Sequence, residues 1–332
     1  MSLRVAHAGF FTTVQDLGRH GHQRDGVSPG GAMDHFALRG ANLLVGNADN
    51  DAVLEITLAG PTLVFEADAL IALAGGDLGA HVGARALLPW RVSLVPRGHE
   101  LTFVGERSGC RAYLAVAGGI DVPLVLGSRS TYVRAAFGGY RGRPLEKGDV
   151  LSVGEPSLLS QRIFGRLPSG ESGLATPRWG LGPSLRPLYS RAPLVRVVVG
   201  THESLLKDDS RTAFWNESFR LSPQSDRMGL RLEGPRLVLT EPREVLSESV
   251  AFGTIQLPPD GNPIVLMADR QTTGGYPRLG EVASVDLPLL ARLCPGDDVR
   301  FRQISLAESR TLYLSREQDL RQARREIELR HT

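Results

Sequence analysis

Glycine and proline punctuate this chain so densely that few long regular elements fit between them. Of 332 residues, 38 are glycine and 21 are proline. Most apolar runs end at one or the other after about four to six residues, the usual length of a strand in a sheet. Such runs cover Leu54–Leu58, Leu70–Leu73, Val92–Val95, Leu101–Val104, Ala112–Val116, Leu194–Val199, Leu237–Leu239 and Ile264–Met267. The pattern predicts a mainly β protein with a few short helices. One helix is expected over Ala32–Val45, with Phe36, Ala37, Leu43 and Leu44 on its apolar side and Gly46-Asn47 as its stop. A second, short one is expected over Val285–Leu293. The highly charged stretch Ser315–Arg330 reads as a third, a solvated C-terminal helix.

Between Glu155 and Pro193 the texture changes, with six prolines and five glycines breaking every pattern. This predicts a first β-barrel-like domain over 1–155, a Pro/Gly-rich connection over 156–193, a second β-barrel-like domain over 194–305 and the charged helix over 306–332. The halves echo each other. Leu58-Ala59-Gly60-Pro61-Thr62-Leu63-Val64-Phe65 matches Leu232-Glu233-Gly234-Pro235-Arg236-Leu237-Val238-Leu239. A glycine turn feeding a strand recurs at Pro96–Phe103, Lys147–Leu151 and Pro295–Phe301. Order and spacing point to a duplicated β-unit. Two such domains facing each other would leave a cleft between them, the usual place for a small ligand.

The formal charge is +2 and acids and bases are interleaved. That gives no electrostatic reason to expect a nucleic-acid or membrane partner. Cys110 and Cys294 have no metal or redox spacing, which fits a reducing compartment. The chain starts directly in a strand-like pattern with no signal peptide, and no apolar run approaches the roughly 20 residues of a membrane helix. The expectation is a cytoplasmic protein.

Four stretches concentrate polar chemistry. Thr12–Gly21 holds Gln15, Asp16 and Arg19 between glycines. Arg19 has the fork geometry to hold a carboxylate or phosphate, although Asp16 and Arg19 would equally pair or cap the turn. His20 and His22 nearby read as surface-loop residues, since no third metal ligand accompanies them. Gly30-Gly31-Ala32-Met33-Asp34 places Asp34 either as a helix cap or beside an anion seat of open N–H groups. Gly118-Gly119 follows a strand and allows close backbone approach; downstream, Arg129, Arg134, Arg141 and Arg143 form the most cationic part of the core region. Finally, residues 266–280 read LMADRQTTGGYPRLG. Asp269 ends an apolar strand, Gln271, Thr272 and Thr273 follow, and Gly274-Gly275 permits positive φ before Tyr276-Pro277. An acid, an amide and two hydroxyls at a strand end suit recognition of a small amide. No phosphate-binding loop, nucleophile elbow, zinc-protease motif or biotinyl Met-Lys-Met occurs. The chain carries no recognisable cofactor motif, so ATP or biotin chemistry would have to come from another protein of the complex.

The blocks TTVQDLGRHG, GVSPGGAMDHFALRGANLLVGN, YLAVAGGIDVPLVLGSRSTY, GRPLEKGD, SDRMGLRLEGP and PIVLMADRQTTGGYPRLGEV together resemble the biotin-dependent carboxyltransferase-like family, also described as allophanate hydrolase subunit 2. The family includes the C-type subunit of 5-oxoprolinase, an antagonist of the kinase inhibitor KipI, and part of urea carboxylase. The resemblance spans roughly residues 3–303 and implies cyclophilin-like β-barrel domains. It implies partners too: a subunit-1-type protein (the B-type subunit of 5-oxoprolinase) and a lamB-type protein (its A-type subunit). With these the chain would form an ATP-hydrolysing lactam hydrolase opening 5-oxo-L-proline to L-glutamate. Alternatives are the carboxyltransferase half of a urea carboxylase-like enzyme fed by carboxybiotin, and a non-catalytic KipI antagonist. On this resemblance the candidate catalytic residues are Asp16, Asp269 and Gln271. Asp16 or Asp269 would accept a substrate N–H, while Gln271, Thr273 or the backbone at Gly118-Gly119 and Gly274-Gly275 would polarise the carbonyl. Gln15, Asp34 and Thr272 join the binding set, Arg19 or Arg129 would hold a carboxylate, and Tyr276 would wall the pocket. The Gln15–Arg19 and Asp269–Tyr276 turns are expected to converge.

Overall fold

The computed structural model describes residues 1–167, 174–241 and 245–332; Pro168, Gly170 and Gly173 of the expected connection lie outside them. The chain divides into two units. The first comprises residues 1–19, 34–186 and 319–332, the second residues 20–33 and 187–318.

In the first unit a seven-stranded antiparallel sheet has the order Ile120–Asp121, Val150–Val153, Ser2–His7, Thr62–Phe65, Glu100–Phe103, Ala80–Val82, Arg85–Ala86. A five-stranded antiparallel sheet has the order Phe11–Gln15, Val53–Thr57, Ser108–Val116, Ala69–Asp77, Val92–Val95. Leu3, Val5, Leu63 and Phe65 of the first sheet and Leu54, Ile56, Leu73 and Leu114 of the second share one core. Each fully buried Leu or Phe contributes roughly 1.5–3 kcal/mol. Helix α1, His35–Val45, packs on the five-stranded sheet against Ala69–Asp77 and Ser108–Val116. Covered on both faces, Ala69–Asp77 loses the usual polar alternation and reads ALIALAGGD.

The second unit contains a closed barrel in the order Leu194–Val199, Arg278–Val282, Thr254–Gln256, Ile264–Leu266, Gly229–Glu233, Phe219–Leu221, Asp298–Ile304. The ring closes where Leu194–Val199 runs parallel to Asp298–Ile304; closure leaves no exposed edge. Its core holds Val197, Leu230, Ile255, Val265, Leu279 and Phe301. A two-stranded ribbon, Glu248–Ser249 with Thr273–Gly274, stands apart from the barrel ladder.

The remaining α-helices among the described residues are α2 (Leu158–Gly165), α3 (Asp208–Asn216), α4 (Leu287–Ala291) and α5 (Leu306–Arg330). The expected short helix thus spans Leu287–Ala291, and the charged tail helix runs over Leu306–Arg330, within the 306–332 segment expected for it and beginning ahead of Ser315.

The unit boundaries differ from those expected. Residues 174–186 stay with the first unit because they pair with its sheet edge: Leu94 N–H donates to the Ala175 carbonyl at 2.8 Å, and Leu181 N–H to that of Trp90 at 3.0 Å. Residues 20–33 go with the second unit, where Met33 joins the barrel core and Arg227 donates to the Gly31 carbonyl at 2.5 Å. Arg324 ties the chain end to the first unit by donating to Asp49 at 2.6 Å. The expected strand Leu237–Leu239 is also corrected. Leu237 N–H bonds the Gly261 carbonyl and Val238 N–H the Ser210 hydroxyl, so the run enters no ladder and makes only an isolated bridge from Leu239 to Leu206. The Leu237–Leu239 end of the second copy is therefore a loop, whereas Leu63–Phe65 in the first lies in the strand Thr62–Phe65.

Candidate functional site

In the first unit the Gln15–Arg19 turn lies against Ser128–Thr131. Asp16 is 1% exposed, and both of its carboxylate oxygens are occupied. Oδ1 accepts from Ser128 Oγ at 2.6 Å, Ser130 Oγ at 2.5 Å and Gly18 N–H at 2.8 Å, and Oδ2 from Arg129 N–H at 2.6 Å. A carboxylate with four such donors organises the loop. It is not placed to take a proton or a substrate N–H. Arg19, 1% exposed, donates to the Ser130 carbonyl and lies 4.7 Å from the centre of the Phe137 ring. Gln15 Nε2 donates to Thr13 Oγ1 at 3.0 Å and the Thr131 carbonyl at 3.3 Å, while its buried Oε1 accepts nothing among the described residues.

Other expectations in this unit resolve into structural roles. Asp34 caps α1, its Oδ1 accepting from Ala37 N–H at 2.8 Å. Gly118 (φ +97°) makes close approach to the carbonyl of Gly154, not to open space. The N–H groups of Gly118 and Gly119 are taken by Asn47 Oδ1 and the Val116 carbonyl, both at 2.9 Å, so they form no oxyanion hole. Arg129 donates Nε to the Val122 carbonyl at 3.0 Å, and Arg143 grips Asp149 through two nitrogens at 2.8 Å each. What stays open is a cavity of about 430 Å³ beside the Phe137–Gly142 turn, with Asp121, Val122, Tyr140, Arg141 and Ser152 among its walls.

In the second unit Asp269, 5% exposed, is held by Arg227, whose Nε donates at 2.9 Å and Nη2 at 3.2 Å. Asp269 is thus committed to an ion pair and is not a free base. Gln271 and Thr272 are half-buried, Thr273 and Tyr276 exposed. Neither Gly274 nor Gly275 adopts the positive φ expected of it. Gly274 is needed for proximity instead, since a Cβ there would stand 2.5 Å from Gln256 Nε2.

Behind this turn sits a cluster that reading the sequence missed. Thr254 and Glu281 face each other across adjacent strands, and Thr254 Oγ1 lies 2.8 and 3.0 Å from the two Glu281 carboxylate oxygens. Burial pushes the Glu281 carboxyl above its ordinary range against the Thr254 hydrogen bond and the Arg278 and Arg270 charges. Arg270 is 6% exposed, and burial pushes its guanidinium down to about 10, Glu281 opposing. The available signal was an acid inside the strand Arg-Leu-Gly-Glu-Val, where apolar residues belong. Among the described residues, no group of His, Cys, Asp and Glu has the geometry to hold a metal ion, and no helix is long and apolar enough to cross a membrane.

Comparison with known proteins agrees with this architecture. The chain is 41% identical to the C-type subunit of 5-oxoprolinase from Escherichia coli strain K12 over 308 residues, 92% of this chain and 93% of that one. It is 36% identical to the protein of the same name from Haemophilus influenzae, over 95% of this chain and 96% of that one. The crystal structure of Kluyveromyces lactis urea carboxylase superposes with a TM-score of 0.87 at 32% identity, covering 97% of this chain but 29% of that much longer one. A family model described as carboxyltransferase domain, subdomain A and B, matches residues 25–303, and the chain belongs to that family.

Proposed function

We propose that this chain is one component of an ATP-dependent 5-oxoprolinase that opens 5-oxo-L-proline to L-glutamate, and that it turns over only with its partner proteins. The observation that carries the reading is near-complete, reciprocal similarity to the C-type subunit of 5-oxoprolinase: 41% identity across 93% of that relative. The partners are a subunit-1-type protein and a lamB-type protein. ATP enters through them, because this sequence has no phosphate-binding loop of its own. A cytoplasmic location accords with Cys110 and Cys294 being buried thiols that form no disulfide.

With Asp16 and Asp269 committed to internal partners, the substrate-facing groups proposed here are Gln271, Thr272, Thr273 and Tyr276. Gln271 is assigned the amide N–H that polarises the lactam carbonyl. Losing one such donor lowers turnover on the order of a hundredfold. The test is co-expression of the three proteins and measurement of ATP-dependent glutamate release, first for wild type and then for Gln271→Ala. Glutamate release by wild type only when all three are present is the expected result. Release without this chain would refute the reading, and unchanged turnover in Gln271→Ala would remove that residue from the site.

A second reading has its own support. The superposition with urea carboxylase over 97% of this chain is consistent with carboxyl transfer to an amide nitrogen, with carboxybiotin supplied in trans. It predicts carboxylation of urea when a biotin carboxylase and its biotinylated carrier are added.

A further inference from the structure

Two charges in the second unit lie within each other's field without touching. Arg270 is almost fully buried, yet its guanidinium makes only marginal contacts: Nε to the Val250 carbonyl at 3.5 Å, Nη1 to that of Met267 at 3.4 Å, and the Phe252 ring at 5.7 Å from its centre. These sit beyond normal N–H···O lengths, and a guanidinium has five N–H groups to place. The nearby carboxylates each have other partners. Asp269 is bound by Arg227. Glu248 is bound by Arg278 at 2.8 Å. Glu281 receives the Thr254 hydroxyl and lies 3.9 Å from Arg278. Among the described residues no ion pair joins Arg270 to Glu281, yet both meet the Val250–Thr254 segment: Arg270 Nε faces the Val250 carbonyl, and the next residue, Ala251, donates its N–H at 2.9 Å to the Thr254 hydroxyl that bonds Glu281. The Glu281 side chain is 35% exposed, so the pair is open to solvent from the carboxylate side. Gly274 of the ribbon packs against Gln256, which shares a strand with Thr254.

A donor-only cation and an acceptor-only anion held apart define what fits between them. A carboxylate would satisfy Arg270 but meet the like charge of Glu281. An ammonium would do the reverse. A neutral group with an acceptor at one end and a donor at the other satisfies both without net charge. We propose that Arg270 and Glu281 bind the N–C=O edge of a small lactam or amide, the carbonyl oxygen accepting from the Arg270 guanidinium and the N–H donating to the Glu281 carboxylate. The proposal rests on the amide-directed function given above and extends its substrate-facing groups: Arg270 is a second donor to the carbonyl oxygen beside Gln271, and Glu281 the acceptor for the N–H. In that pose Arg270 also faces the oxygen where negative charge grows when the carbonyl is attacked.

The test is a titration of the full chain, with nitrogen-15 in its arginines, against 5-oxo-L-proline, 2-pyrrolidinone, urea and acetate. The three amides are expected to move the Arg270 Nε signal saturably, and acetate to bind more weakly than any of them. Arg270→Lys and Glu281→Gln should each weaken amide binding by about tenfold, the worth of one hydrogen bond to a charged group. Glu281→Gln keeps shape and lies at a partly exposed position, so it reports even if Arg270→Lys fails to fold. An Arg270 signal indifferent to all three amides, affinities unchanged in Glu281→Gln, or acetate binding tightest would overturn the proposal. If amides bind here but the reconstituted complex releases no glutamate, the assigned activity falls and this site stands. If the complex turns over while Arg270 ignores amides, the outcome is the opposite.

Discussion

Arg227 holds Asp269 through two guanidinium nitrogens, Nε at 2.9 Å and Nη2 at 3.2 Å, with side-chain exposures of 10% and 7%. The same arginine reaches the Gly31 carbonyl, so one side chain fastens both the end of the Ile264–Leu266 strand and the segment of residues 20–33. Removing one partner strands the other as a buried charge. Asp269→Ala is expected to destabilise the chain by about 3–5 kcal/mol, and Asp269→Asn to cost less because the amide oxygen still accepts. Urea denaturation of both variants checks this. If Asp269→Ala were as stable as wild type while turnover vanished, the residue would be catalytic after all.

Asp16 has the corresponding duty in the first unit. Its carboxylate accepts from two serine hydroxyls and two backbone N–H groups. Asp16→Asn replaces one acceptor oxygen by a donor that faces existing donors, at a cost of about 1–3 kcal/mol for the groups left unsatisfied. The loss should appear as a lower urea midpoint with an unchanged slope. Faster amide exchange at Arg129, whose N–H bonds Oδ2, would locate the damage.

What the sequence made legible follows from the range of the forces involved. Strand ends at glycine and proline, the Asp34 cap and the Gly46 stop are set within a few residues, and Val92–Val95 and Leu194–Val199 end where the pattern ends them. Partner choice is long-range. Asp16 read as a partner of Arg19, a turn cap or an acceptor for substrate because its serines stand 112 and 114 residues away. Asp269 looked like a strand-end base because Arg227 lies 42 residues upstream. Leu237–Leu239 has strand composition but no strand beside it. Glu281 escaped notice because an acid in a strand gains meaning only from what faces it, here Thr254 from the neighbouring strand.

Tyr113 is fully buried at the contact of α1 with the five-stranded sheet. Its hydroxyl donates to Glu55 Oε2 at 2.9 Å and accepts from Asp34 N–H at 2.8 Å. Tyr113→Phe deprives both groups at once, and a loss of about 1–3 kcal/mol is expected. Burial first, then the Glu55 and Asp34 charges, push the phenol well above its ordinary value of 10. Spectrophotometric titration of the native protein should therefore show one tyrosine that does not ionise until the chain unfolds, and Tyr113→Phe should abolish that late component.

Glu281 makes a prediction whose sign runs against the usual behaviour of carboxylates. Burial raises its pKa above the ordinary value of 4.5, outweighing the Thr254 hydrogen bond and the charges of Arg278 and Arg270, with Glu248 adding to the rise. The folded chain then binds this proton more tightly than the unfolded one. By linkage, its contribution favours folding below the unfolded pKa and is lost as pH rises through the folded one. Glu281→Gln removes that dependence. The variant is expected to melt higher than wild type at neutral pH, and the difference should shrink as pH falls toward 4.5. Calorimetric melting of both proteins across that range is the measurement. A destabilised variant at neutral pH would mean that the Arg270 and Arg278 attractions outweigh burial, and that Glu281 braces the barrel rather than waiting for a ligand. A stabilised variant with lost amide binding fits a site residue kept at the expense of stability.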